Sequence, residues 1–186
     1  MKVTETELQG VYVVEPDFFP DARGFFFESY NKKKYEDAGL NFNFIQDNIS
    51  KSQKGTIRGL HYQSGENAQG KLCQAVTGNV LDVAVDIRFG SPTFGKHFAV
   101  ELSGENHKQI WIPPGFAHGF SVLSDEAIFS YKCTAFYSKS DERAILYNDE
   151  DLMIDWKVEK PNVSEKDLTA KKFRDIDKDF IFSEVQ

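Results

Sequence analysis

The chain has 186 residues, 40% of them hydrophobic and 14% aromatic, enough apolar mass for one folded domain over 1–186 and far too much for a disordered chain. A net charge of -7 argues against a general nucleic-acid binder or a membrane-surface protein. No apolar run has the length of a membrane span, and no signal peptide is recognisable, so a cytoplasmic protein is expected.

Short runs rich in β-branched and aromatic residues dominate the chain. In order they are 11–15, 24–29, 42–48, 56–62, 72–77, 80–87, 98–102, 109–112, 119–123, 127–134 and 144–147. Gly78-Asn79, between two such runs, reads as a hairpin turn, since both residues accept positive φ. Helical period is weak. It is found over 31–38, with Gly39 as the stop, and after Ser164, where Ser164-Glu165-Lys166-Asp167 can cap a short helix. Many short strands at even spacing predict an all-β jelly roll with a few short peripheral helices. The charged tail beyond Trp156 is expected to wrap the barrel, and the N-terminal strands are candidates for exchange across a dimer. Cys73 and Cys133 stand 60 positions apart (133 minus 73) without a cysteine framework. They read as two buried thiols, with a disulfide as the alternative.

The chemistry gathers around Arg58-Gly59-Leu60-His61, with Gln69-Gly70-Lys71 following shortly after. A neutral imidazole accepts a proton near neutral pH, and two cations beside it can hold an anion. Strict pleating places Ile57, Gly59 and His61 on one face and Arg58 on the other. The two functional residues then share a cavity only if the strand bulges at Gly59. A satisfied core histidine is the plainer alternative for His61.

The run Pro114-Gly115-Phe116-Ala117-His118-Gly119-Phe120 resembles the second motif of the cupin superfamily, a double-stranded β-helix jelly roll. The first cupin motif carries an H-x-H pair, and here it reads His61-Tyr62-Gln63. Two histidines are too few donors for a first-row metal, so no catalytic metal is expected, and His118 is free to contact substrate phosphate.

Further motifs recur in order: Asp21 to Tyr30, Gln46-Asp47-Asn48, Arg58 to His61, Gln69 to Lys71, Trp111 to Pro113, Gly115 to Phe120 and Tyr131-Lys132. Together they resemble the dTDP-4-dehydrorhamnose 3,5-epimerase family over nearly the whole chain. That resemblance implies a cofactor-free homodimeric isomerase that inverts C3 and C5 of dTDP-4-dehydro-6-deoxy-D-glucose. It assigns His61 as base, Asp167 as the carboxylate that orients it, Tyr131 as the acid on the opposite face, and Lys71 as the enolate stabiliser. Arg23, Glu28, Gln46, Asp47, Asn48, Arg58, Lys71, His118, Glu142 and Lys166 match positions that contact the nucleotide sugar. A 3-only epimerase or ketoisomerase acting on a related dTDP-keto sugar is the alternative. A non-catalytic sugar-binding cupin is not expected to carry the His61, Asp167, Tyr131 and Lys71 set.

Overall fold

The computed structural model describes residues 1–183. The strands are β1 (Lys2–Glu5), β2 (Tyr12–Glu15), β3 (Phe18–Asp21), β4 (Gly24–Phe27), β5 (Gln46–Gln53), β6 (Thr56–Gln63) and β7 (Lys71–Thr77). They continue with β8 (Asn79–Asp86), β9 (His97–Ser103), β10 (Gln109–Ile112), β11 (Phe116–Val122), β12 (Glu126–Cys133), β13 (Glu142–Ala144) and β14 (Asn162–Val163). Two short helices, α1 (Lys32–Asp37) and α2 (Glu165–Leu168), lie outside the sheets. No helix among the described residues is long and apolar enough to cross a membrane.

One sheet runs β1-β2-β10-β7-β12-β5 and the other β13-β6-β11-β8-β9, with β14 parallel to β6. Their facing sides enclose the barrel interior, where Cys73, Ala84, Ile110, Phe120 and Phe129 pack together. On β8, alternation sends Leu81, Val83 and Val85 to the opposite face. There they pack in one cluster with Ile176 and with the partly buried Val163, Phe173 and Phe180, so the tail beyond Trp156 covers the outer face of this sheet as the sequence suggested. Burial on both faces explains the nearly unbroken apolar run of β8.

Two expectations need correction. Gly78 does turn the chain, with φ of +77°, but β7 and β8 do not pair. The turn is a corner between the two sheets, as a barrel closed from two layers requires. The strand expected over 42–48 lies instead at Gln46–Gln53, a polar segment without an apolar alternation. Phe42 and Phe44 belong to a separate cluster in which Phe42 stacks on Trp111, ring centroids 3.5 Å apart.

Helix α1 follows its sequence signals. The Asn31 side chain caps it by accepting from the Lys34 amide, and Gly39 follows at φ +83°. At α2 the Ser164 hydroxyl accepts from the Asp167 amide at 3.2 Å, which fixes the start of the helix that carries Asp167.

Candidate active site

The cavity is built from strands whose inward positions are polar. Along β5 the inward residues are Gln46, Asn48, Ser50 and Ser52, while Asp47, Ile49 and Lys51 face out. Strand β6 solves the parity problem at Arg58 and His61. His118 of β11 pairs with His61 and Phe120 pairs with Arg58, so Gly119 alone faces Gly59 and Leu60. This bulge turns Arg58 and His61 into one cavity, as Gly59 allowed. Gly59 sits at φ +128°, and a Cβ there would lie 2.5 Å from the Gly119 Cα. Only glycine fits that crossing.

His61 Nε2 lies 2.6 Å from Oδ1 of Asp167. Asp167 is buried, 3% exposed, and its amide is fixed by the helix cap. Burial pushes its carboxyl up, but the hydrogen bond and charge of His61 outweigh that and leave it below the usual carboxylate range. Lys71 and Tyr131 line the same space as His61, in a cavity of about 420 Å³ that Arg58, His118 and Asp167 also border. Burial pushes the Tyr131 phenol up to about 12, so it holds its proton at neutral pH. A second cavity of about 310 Å³ shares His61, Lys71 and Tyr131 with the first and adds Gln46, Asn48 and Glu142. Glu142 is bridged to Lys166 at 2.5 Å and accepts from the Tyr137 hydroxyl at 3.1 Å, joining β13 to α2 at this rim.

Three residues singled out in the sequence stand apart from these walls within the chain. Asp47 faces outward on β5, one residue out of phase with Gln46 and Asn48, and pairs with Lys132 at 2.9 Å. Arg23 sits at the tip of the β3–β4 hairpin, its side chain 90% exposed and paired with Asp21. Glu28 pairs with Lys34 and Asn31 beside α1. His118 is only 7% exposed and its Nε2 lies 2.9 Å from Asp82, a buried partner that sequence reading missed. A carboxylate at an inward position of the apolar β8 run was the available signal. Ser52 was missed as well. It accepts from Arg58 Nε at 3.0 Å and so orients the guanidinium. Ser50 Oγ, on the same face, is buried without a partner.

An imidazole–carboxylate pair, a phenol and an ammonium share one cavity of an all-β barrel, and the class of protein that this fold and chain match is an isomerase. The family model described as dTDP-4-dehydrorhamnose 3,5-epimerase matches residues 5–175. The chain belongs to the dTDP-4-dehydrorhamnose 3,5-epimerase family. A curated relative of that name from Shigella flexneri is 56% identical over 178 residues, covering 95% of this chain and 98% of its own. A crystal structure of the Legionella pneumophila dTDP-6-deoxy-D-glucose-3,5-epimerase, in complex with dTDP-4-keto-L-rhamnose, superposes with a TM-score of 0.94. It is 49% identical and covers 98% of both chains. A 3'-monoepimerase from Streptomyces bikiniensis in complex with dTDP-quinovose has a TM-score of 0.86 at 32% identity, covering 91% of this chain and 86% of its own.

Proposed function

We infer that this chain converts dTDP-4-dehydro-6-deoxy-D-glucose to dTDP-4-dehydro-L-rhamnose by epimerising C3 and C5, a step of dTDP-L-rhamnose biosynthesis. The observation that carries the reading is the His61–Asp167 pair lining one cavity with Tyr131 and Lys71.

The substrate's C4 carbonyl acidifies the C–H bonds at C3 and C5. His61 removes the proton, and Asp167 holds the imidazole in place and stabilises the imidazolium that forms. General-base action of this kind contributes about 10²–10⁴-fold. The Lys71 ammonium meets the enolate oxygen at C4, worth about 10²–10³-fold for one well-placed donor. The protonated Tyr131 phenol then delivers a proton to the other face and inverts the centre. No redox change occurs, and these groups supply the proton traffic without a cofactor.

Arg58, His118, Gln46, Asn48, Glu142 and Lys166 are proposed to hold the sugar nucleotide, because they line the two cavities that share the catalytic residues. Arg23 and Glu28 fit a homodimer in which the β3–β4 hairpin reaches a second copy. The hairpin supports this: Phe19 and Phe26 pair across it and are 56% and 66% exposed. Residues 1–186 act as one catalytic domain in this reading. A cytoplasmic location accords with Cys73 and Cys133, which are both buried free thiols.

The test is product identity by NMR after incubation with dTDP-4-dehydro-6-deoxy-D-glucose. Inversion at both centres is expected. Inversion at C3 alone would place the chain with the monoepimerases.

A further inference from the structure

We propose that Cys73, Asp82 and His118 form a binding site for a thiophilic divalent cation, Zn²⁺ or Cd²⁺, and that its occupation inhibits the enzyme. The three side chains project into the barrel interior from β7, β8 and β11, and their exposures are 0%, 0% and 7%. Their donor atoms all lie within 4.8 Å of one another. His118 Nε2 stands 2.9 Å from one carboxylate oxygen of Asp82, 3.0 Å from the other and 3.9 Å from Cys73 Sγ.

A tetrahedral ion with bonds of ~2.0–2.3 Å spaces such donors ~3.4–3.6 Å apart. The two distances from His118 therefore need changes of well under an ångström. Thiolate, imidazole and carboxylate together suit Zn²⁺ and Cd²⁺ and discriminate against Mg²⁺ and Ca²⁺. The fourth coordination position is supplied from the cavity that His118 borders.

The proton balance is simple. The Cys73 thiol releases its proton to solvent, and the imidazole proton moves from Nε2 to Nδ1, which frees Nε2 for the metal. Two anionic ligands then neutralise the dication. Lys71, two residues before Cys73, opposes the ion, so the two negative ligands are necessary. An ion held here engages His118, which borders the cavity, and places a metal centre beside the groups that act on the sugar. Only the inhibition rests on the proposed function; the binding site does not.

The experiment titrates the full-length protein with Cd²⁺ alone and follows the ultraviolet thiolate-to-cadmium charge-transfer band. Cys73 and Cys133 are the chain's two cysteines, so variants at each assign the band. Saturation at one equivalent is expected in the wild type and in Cys133→Val, and no band in Cys73→Val. In the epimerase assay, Zn²⁺ inhibits the wild type and a chelator restores it. Cys73→Val retains turnover and needs ~100-fold more Zn²⁺ for the same inhibition.

No band in the wild type overturns the proposal even if a variant fails to fold. A band that survives Cys73→Val, or disappears with folded Cys133→Val, also overturns it. A Cys73-dependent band without loss of turnover overturns the inhibitory role. If the band behaves as expected and the protein lacks epimerase activity before any metal is added, the proposed function has failed and the metal site stands.

Discussion

The imidazole of His61 and the carboxylate of Asp167 meet at 2.6 Å although 106 residues separate them in the chain. Asp167 reaches the barrel strand on a one-turn helix whose start is fixed by Ser164. Asp167→Asn keeps the shape and removes the charge. It is expected to lower kcat by about 10²–10⁴-fold with little change in KM, read by steady-state kinetics. His61→Ala is expected to abolish both turnover and solvent exchange at carbon, since no other residue is assigned to take the proton. Unchanged kcat in Asp167→Asn would reduce that residue to a structural pair.

Tyr131→Phe separates the acid from the base. The ring packing remains and the hydroxyl is lost, so a carbanion still forms at His61 and is reprotonated by His61 with retention. Proton exchange with solvent is expected to outlast inversion, with partial C5 exchange and little inverted product by NMR. Wild-type inversion at both centres would make Tyr131 a packing residue.

Acid stability follows from two depressed carboxylates. Burial alone pushes Asp86 up, but bonds from Arg88, Ser91 and Thr93 outweigh it and leave the carboxyl below its ordinary range. Asp167 is depressed by His61 against the same burial effect. A lowered folded-state pKa contributes stability that is complete above the unfolded value, about 3.9, and disappears as pH falls through the folded value. The melting temperature is therefore expected to hold from neutral pH to about 5 and to fall below about 4. Asp86→Asn leaves the Arg88 guanidinium, 16% exposed, without its counter-ion. A loss of about 3–5 kcal/mol at neutral pH and a shallower acid limb are expected in thermal melts.

The hairpin accounts for the quaternary prediction. One face of it, Phe18, Phe25 and Phe27, gathers around His107, with Phe18 stacked at 4.2 Å, while Phe19 and Phe26 face away from that cluster. Phe19→Ser with Phe26→Ser is expected to convert a dimer to a monomer at micromolar concentration, measured by analytical ultracentrifugation. KM is expected to rise with it, because Arg23 can no longer reach a second copy. A wild-type monomer under the same conditions would contradict the dimer.

Much of this architecture was legible in the chain. Strand β10 lies where the short apolar run placed it, at Gln109–Ile112, and the stop at Gly39 and the cap at Ser164 marked the two α-helices. The segment Gln46–Gln53 was not legible as a strand in its true position, because its inward face lines a polar cavity and its outward face meets solvent. No hydrophobic period survives in such a segment. The bulge at Gly59 was legible only as a condition, since pleating parity set Arg58 and His61 apart and a glycine stood between them. Asp82 was hidden by its surroundings in the apolar β8 run. Arg23 and Glu28 stand away from the cavity within one chain, and the role proposed for them needs a second copy, which sequence periodicity does not encode.

One base and one acid are proposed to act on two carbons of the same keto sugar. Incubation with dTDP-4-dehydro-6-deoxy-D-glucose in D₂O, followed by NMR, reads this directly. Deuterium is expected at both C3 and C5 of a product with both centres inverted, and at neither carbon with His61→Ala. Deuterium at C3 alone, or exchange that persists at wild-type rate in His61→Ala, would contradict it.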